Sequence, residues 1–191
     1  MSCPVEDLDR LAAWAAANRF GFTHIELARG ETRSQPMVNV RGGADDAERA
    51  ARGLAAEGFA VARVKTEAAP WVDGVPQSDE EARDPARYFE HHVKLLLPAD
   101  HDRPALERLA TEHGAHVSWN ARRLRKDGRQ ERFVTQRCHD VGRATAERRL
   151  AALLDALHDD GHHVLEVERE FVLHDSNLAL DDGWIITREH P

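Results

Sequence analysis

Apolar and polar positions alternate along this chain in two rhythms, one helical and one extended. Leu8, Leu11, Ala12 and Ala15 recur at helical spacing behind Pro4 and the acids Glu6, Asp7 and Asp9. Proline and negative charge in the first turn suit a helix start, and Gly21 is placed to end that helix. Residues 22–29 (FTHIELAR) and 36–41 (PMVNVR) read as strands joined by a turn-rich stretch, a predicted hairpin. Residues 44–57 predict a second helix closed by Gly58, and 59–67 (FAVARVKTE) a third strand. From Phe89 to His174 the pattern runs strand, helix, strand, strand, helix, strand, through FEHHVKLLL, PALERLATEHG, AHVSWNARR, ERFVTQRC, ATAERRLAALLDALHDDG and HVLEVEREFVLH.

That βαββαβ order resembles the ferredoxin-like (α/β-plait) fold, in which helices cover one face of a four-stranded antiparallel sheet. The expected class is therefore α+β. The first part repeats the order without its opening strand, and Gly58, Val61 and Val64 are spaced like Gly161, Val164 and Val167. This suggests a duplication, with residues 1–68 as one lobe and 88–191 as a second with an apolar tail. Residues 69–87, acidic and rich in proline, read as a linker or surface loop pinned by Trp71 and Val72. In the tail, Leu178, Leu180, Trp184, Ile185 and Ile186 are too apolar for solvent and are expected to pack back as an added strand.

A chain of 191 residues with 41% apolar and 31% charged residues can bury a proper core. Its net charge of −8 argues against a dedicated nucleic-acid binder. Cys3 and Cys138 form no CxxC pair, which excludes a zinc finger and fits a reducing, cytoplasmic setting. The first residues lack an apolar signal region and no apolar run is long enough to span a membrane, so a soluble protein is expected.

Side chains on a strand alternate faces, so each strand can be sorted. Leu165, Val167, Phe171 and Leu173 are assigned to the core, leaving Glu166, Glu168 and Glu170 on the open face. Likewise Glu90, His92 and Lys94 oppose His91, Val93 and Leu95, while His116, Ser118, Asn120 and Arg122 oppose Val117, Trp119 and Ala121. With Val134 and Cys138 in the core, Phe133, Thr135 and Arg137 join the open face. Three glutamates in alternation repel one another unless cations offset them, which makes Glu166, Glu168 and Glu170 candidate ligands for Mg²⁺ or Mn²⁺. Lys94, Ser118, Asn120, Arg122 and Arg137 are candidate ligand-binding residues for an anion, and His92 and His116 candidate proton-transfer groups. Between Arg122 and Arg137 the hairpin carries a local surplus of positive charge. No HExxH motif occurs, and the consecutive residues Cys138, His139 and Asp140 cannot converge as a triad.

His116-Val-Ser118-Trp119 is similar to the His-x-Thr/Ser-x strand of the 2H phosphoesterases, two-lobed enzymes in which paired histidines act across a cyclic phosphate. His24-Ile-Glu26-Leu27 sits at the corresponding strand of the first part, and His92-Val-Lys94-Leu95 resembles that family's opening strand. Glu26 and Lys94 stand where the family has a hydroxyl residue. The expected function is binding of a small phosphate- or carboxylate-bearing ligand on the open face or between the lobes. Two alternatives stay open: a 2H-like phosphoesterase acting on cyclic phosphates or RNA ends, and a non-catalytic homo-oligomer joined through sheet edges.

Overall fold

The computed structural model describes residues 5–123 and 125–183, which form an α+β fold with four helices and a curled sheet of seven antiparallel strands. In chain order these are α1 (Val5–Ala17), β1 (Gly21–Leu27), β2 (Ser34–Asn39), α2 (Ala44–Ala56), β3 (Lys65–Ala68), β4 (Tyr88–Leu97), α3 (Arg103–Glu112), β5 (Ala115–Asn120), β6 (Gln130–His139), α4 (Arg143–Asp159) and β7 (His163–Asp175). The strand order is β2-β1-β5-β6-β4-β7-β3. The strands of the first part therefore stand at both edges of one sheet, with the four strands of the second part between them.

The core follows from the two rhythms. In α4, Ala146, Leu150, Leu153 and Leu157 form one buried stripe at helical spacing. The three leucines, together with Leu106 and Ala110 of α3, cover Val93, Leu95, Leu97, Val117 and Val134 of the central strands. Asp102 caps α3 by accepting from the Ala105 amide at 3.0 Å. Phe89, Cys138 and Phe171 extend the same layer, with the two phenyl rings 4.7 Å apart.

Four expectations need correction. The third strand begins at Lys65, not at Phe59, because partners outside the ladder hold the backbone before it: the Val64 amide donates to Ser176 Oγ (2.8 Å) and Ala62 O accepts from Asn177 Nδ2 (3.0 Å). Trp71 and Val72 do not pin residues 69–87, since Trp71 is 69% exposed. Val75 is buried instead, among Phe89, Val141 and Phe171. The described part of the tail makes a 3-10 turn at Leu178–Asp181 rather than a strand, and Trp184, Ile185 and Ile186 lie outside the described residues. Leu165 and Leu173, assigned to the core, are about two-fifths exposed, each beside a register shift in the β7 pairings.

Both edges of the sheet are blunted. Pro36 sits within β2, and β3 is four residues long with a register shift at Thr66/Glu67. No helix among the described residues is long and apolar enough to cross a membrane.

Residues 69–87 are fastened to the start of α4. Asp79 accepts from the Gly142 amide (2.9 Å) and Thr145 Oγ1 (3.0 Å), while Pro76 O accepts from the Arg143 amide (2.9 Å). A side chain at Gly142 would place its Cβ 2.6 Å from Ser78 Cα. Gly142→Ala is expected to force this strap off α4 and lower stability by about 2 kcal/mol, measured by urea denaturation.

Candidate functional site

On β4, Tyr88, Glu90, His92 and Lys94 point away from α3 and α4, and the cross-strand register carries that face outward in rows. One row runs His116, Thr135, His92, Glu168; the next runs Ser118, Phe133, Lys94, Glu166; a third joins Arg137, Glu90 and Glu170. The candidates His92, His116, Lys94, Ser118, Arg137, Glu166, Glu168 and Glu170 thus share one face. Asn120 follows on β5 with the same parity. Arg122 lies beyond the end of β5, where it pairs with Asp9 of α1 at 2.9 Å.

The charged groups of this face are bound mainly to one another. Arg137, 5% exposed, pairs with Glu90 (2.6 Å) and with Asp181. Asp181 also meets Arg63 (2.9 Å), and Arg63 pairs in turn with Asp175, which accepts from Tyr88 Oη at 2.8 Å. Lys65 bridges Glu90 and Glu67. Lys94 pairs with Glu131 (3.3 Å) beside the Phe133 ring, and Arg123 and Arg125 reach the same glutamate. The basic surplus of the hairpin is largely spent on Glu131 and on Asp127, which Arg125 and Arg129 clamp. Neither Lys94 nor Arg137 therefore waits bare for a ligand anion.

One group of ligand atoms does converge. His92 Nδ1 lies 3.0 Å from Thr135 Oγ1, and its Nε2 lies 3.3 Å from Glu170 and 3.7 Å from Glu90. Glu90, His92 and Glu170 each offer a ligand atom, all within 4.8 Å of one another. Glu166 and Glu168, expected beside Glu170 in a metal site, stand exposed further back along β7 and do not join it. Glu90, Lys65 and Glu67 were missed as site residues. Glu90 has the same parity as His92 and Lys94, a signal the sequence carries; Lys65 and Glu67 come from the far edge strand, which local spacing does not place.

Electrostatics follow the geometry. Burial works to neutralise Glu90, but Arg137 and Lys65 outweigh it and hold its pKa well below the ordinary carboxylate value. Burial raises Glu67, and the charges of Glu170 and Glu90 add to this against Lys65. Burial lowers His92, yet its hydrogen bond to Glu170 and the charges of Glu90 and Glu170 raise it overall. Burial holds His116 well below its usual value, with Arg137 adding to the effect, and lowers His91 and His139 as well. Cys138 is pushed up by burial to about 11, which leaves it no thiolate role.

His24 does not face this site. Glu26 pairs with Trp119, which puts His24 and Glu26 on the opposite face from His116. There His24 Nε2 meets both Ser34 Oγ (2.8 Å) and Glu26 (3.2 Å). One nitrogen serving both partners holds the ring in place but does not activate the serine. Compared with family models, curated proteins and solved structures, the chain matches none.

Burial favours the neutral form of His91, His116 and His139 in the folded chain, so unfolding takes up protons once the pH falls below about 6.5. Their stabilisation is present above that value and is lost as the pH drops toward their folded pKa values. His92 and Glu67, shifted upward, act in the opposite direction. With three histidines against two such groups, the urea midpoint is expected to fall between about pH 7.5 and about pH 5.5. A midpoint that is flat or rises across this interval contradicts the burial of neutral imidazoles.

Proposed function

We propose that the face of the sheet bearing Glu90, His92 and Glu170 binds a divalent cation, and through it a small phosphate- or carboxylate-bearing ligand. The observation that carries this reading is the convergence of the three ligand atoms within 4.8 Å on two adjacent strands. Sites built on strands hold their ligands more rigidly than sites on loops. Two carboxylates with one imidazole suit Mn²⁺ or Zn²⁺ better than Mg²⁺, which prefers oxygen alone. Burial raises Glu67 first and the charges of Glu170 and Glu90 second; a cation there would offset the second effect and turn an acidic patch into a receptor for anionic oxygen. Ser118 stands one row away on the same face, and Lys94 beside it would have to leave Glu131 to reach such a ligand.

The strand order β5-β6-β4-β7 supports reading residues 88–175 as a ferredoxin-like unit that carries the site. A second reading has His92 and His116 acting as acid and base on a cyclic phosphate. It draws support from their shared position opposite Thr135.

Titration calorimetry with Mn²⁺ tests the cation. Glu170→Gln is expected to weaken binding by roughly tenfold or more. Lys65→Met, which removes the ammonium competing for Glu90, is expected to tighten it. Binding that ignores Glu170, or that weakens when Lys65 is removed, would sink the proposal.

A further inference from the structure

The strap of residues 69–87 walls a half-open cavity of about 280 Å³ on the helix-covered side of the sheet, away from Glu90 and His92. Val75, Pro76, Val141 and Phe171 supply its apolar lining, and Arg83 and Arg87 its positive charge. Its walls are preformed, since Asp79 and Pro76 are tied to the first turn of α4 and Val75 is buried against Phe171.

Arg87 is the informative residue. Its guanidinium lies over the Phe171 ring, 4.9 Å from the centroid. Its Nε is shielded from solvent and makes no hydrogen bond among the described residues, and Nη2 reaches Gly74 O only at 3.5 Å. Among the described residues no carboxylate pairs with it, whereas Arg63 and Arg137 each hold two. A half-buried guanidinium without a counter-charge is costly, and a carboxylate matches its fork with two parallel hydrogen bonds.

Asp84 and Glu81 also line the cavity, but their carboxylates accept from the Ala86 and Gln77 amides at 3.0 and 2.8 Å. Two arginines against two acids leave the lining near neutrality. A singly charged ligand is therefore favoured over a phosphate dianion. Among the described residues the lining holds no histidine, serine or thiol.

From this we infer that the cavity is a second ligand site, for a small monocarboxylate with a flat apolar body. The carboxylate meets Arg87, and the body lies along Pro76 and Val141. The site does not depend on the cation proposed at Glu90, His92 and Glu170.

Amide chemical shifts of the full chain, followed by NMR during titration with benzoate, benzamide and inorganic phosphate, provide the test. Benzoate is expected to give saturable shifts at Gly74 and Val141, with neutral benzamide and phosphate each about tenfold weaker. Arg87→Gln should weaken benzoate to the level of benzamide, while Arg52→Gln on the exposed face of α2 leaves it unchanged. Should Arg87→Gln fail to fold, the ratio of benzoate to benzamide in the unaltered chain decides alone. Equal binding of the two, phosphate binding as tight as benzoate, saturable shifts confined elsewhere, or no saturable shift at all would overturn the inference.

Discussion

The ion pair between Glu90 and Arg137, in the middle of the sheet and almost fully buried, is the contact on which the architecture turns. A charge taken out of water must be met by another or it destabilises the fold by several kcal/mol. Glu90 meets Arg137 of β6 and Lys65 of β3; Arg137 meets Asp181 of the tail; Asp181 meets Arg63. One linked set of charges thus ties the edge strand, the stretch before it and the turn after β7 to a single face of the central strands. The opposite face is held by leucine, valine and phenylalanine beneath α3 and α4. The same sheet is therefore glued on one side by apolar burial and on the other by mutual neutralisation.

Much of this was readable from alternation. The parity of FEHHVKLLL, AHVSWNARR and HVLEVEREFVLH placed Glu90, His92, Lys94, His116, Ser118 and the three glutamates of β7 on one side, and the register agrees. Period-two spacing reports the face, because successive Cβ atoms must oppose one another. It does not report who sits across the strand. Lys65 reaches Glu90 from an edge strand joined to the centre through β7, and Arg63 reaches Asp175 over a separation no local pattern encodes. For the same reason Glu166 and Glu168 looked like partners of Glu170, when the groups that meet it are His92 and Glu90. Residues 69–87 read as a linker because acids and prolines usually mark solvent. Here Asp79 spends its charge on the otherwise unpaired Gly142 amide at the start of α4, an interaction visible only once the helix has been placed.

Composition also misled about which cations are available. An arginine-rich hairpin and Arg137 on the open face suggested a receptor for anions, yet Glu131, Asp127, Glu90 and Asp181 already occupy those guanidinium groups. Two places stand out against that self-neutralisation. Beside Glu90, already paired with Arg137 and Lys65, Glu170 and His92 bring a second carboxylate and an imidazole, which favours a cation. At Arg87 a guanidinium lies over an aromatic ring with no described carboxylate beside it, which favours an anion. The two lie on opposite faces of one sheet and call for opposite charges.

Anomalous diffraction from crystals soaked in Mn²⁺ addresses the first of these places directly. The expected result is a peak bounded by the side chains of Glu90, His92 and Glu170, with Lys65 withdrawn toward Glu67. A map without density there, or with manganese only at the exposed Glu166 and Glu168, would contradict the idea that this ionic face is arranged around a place for a cation.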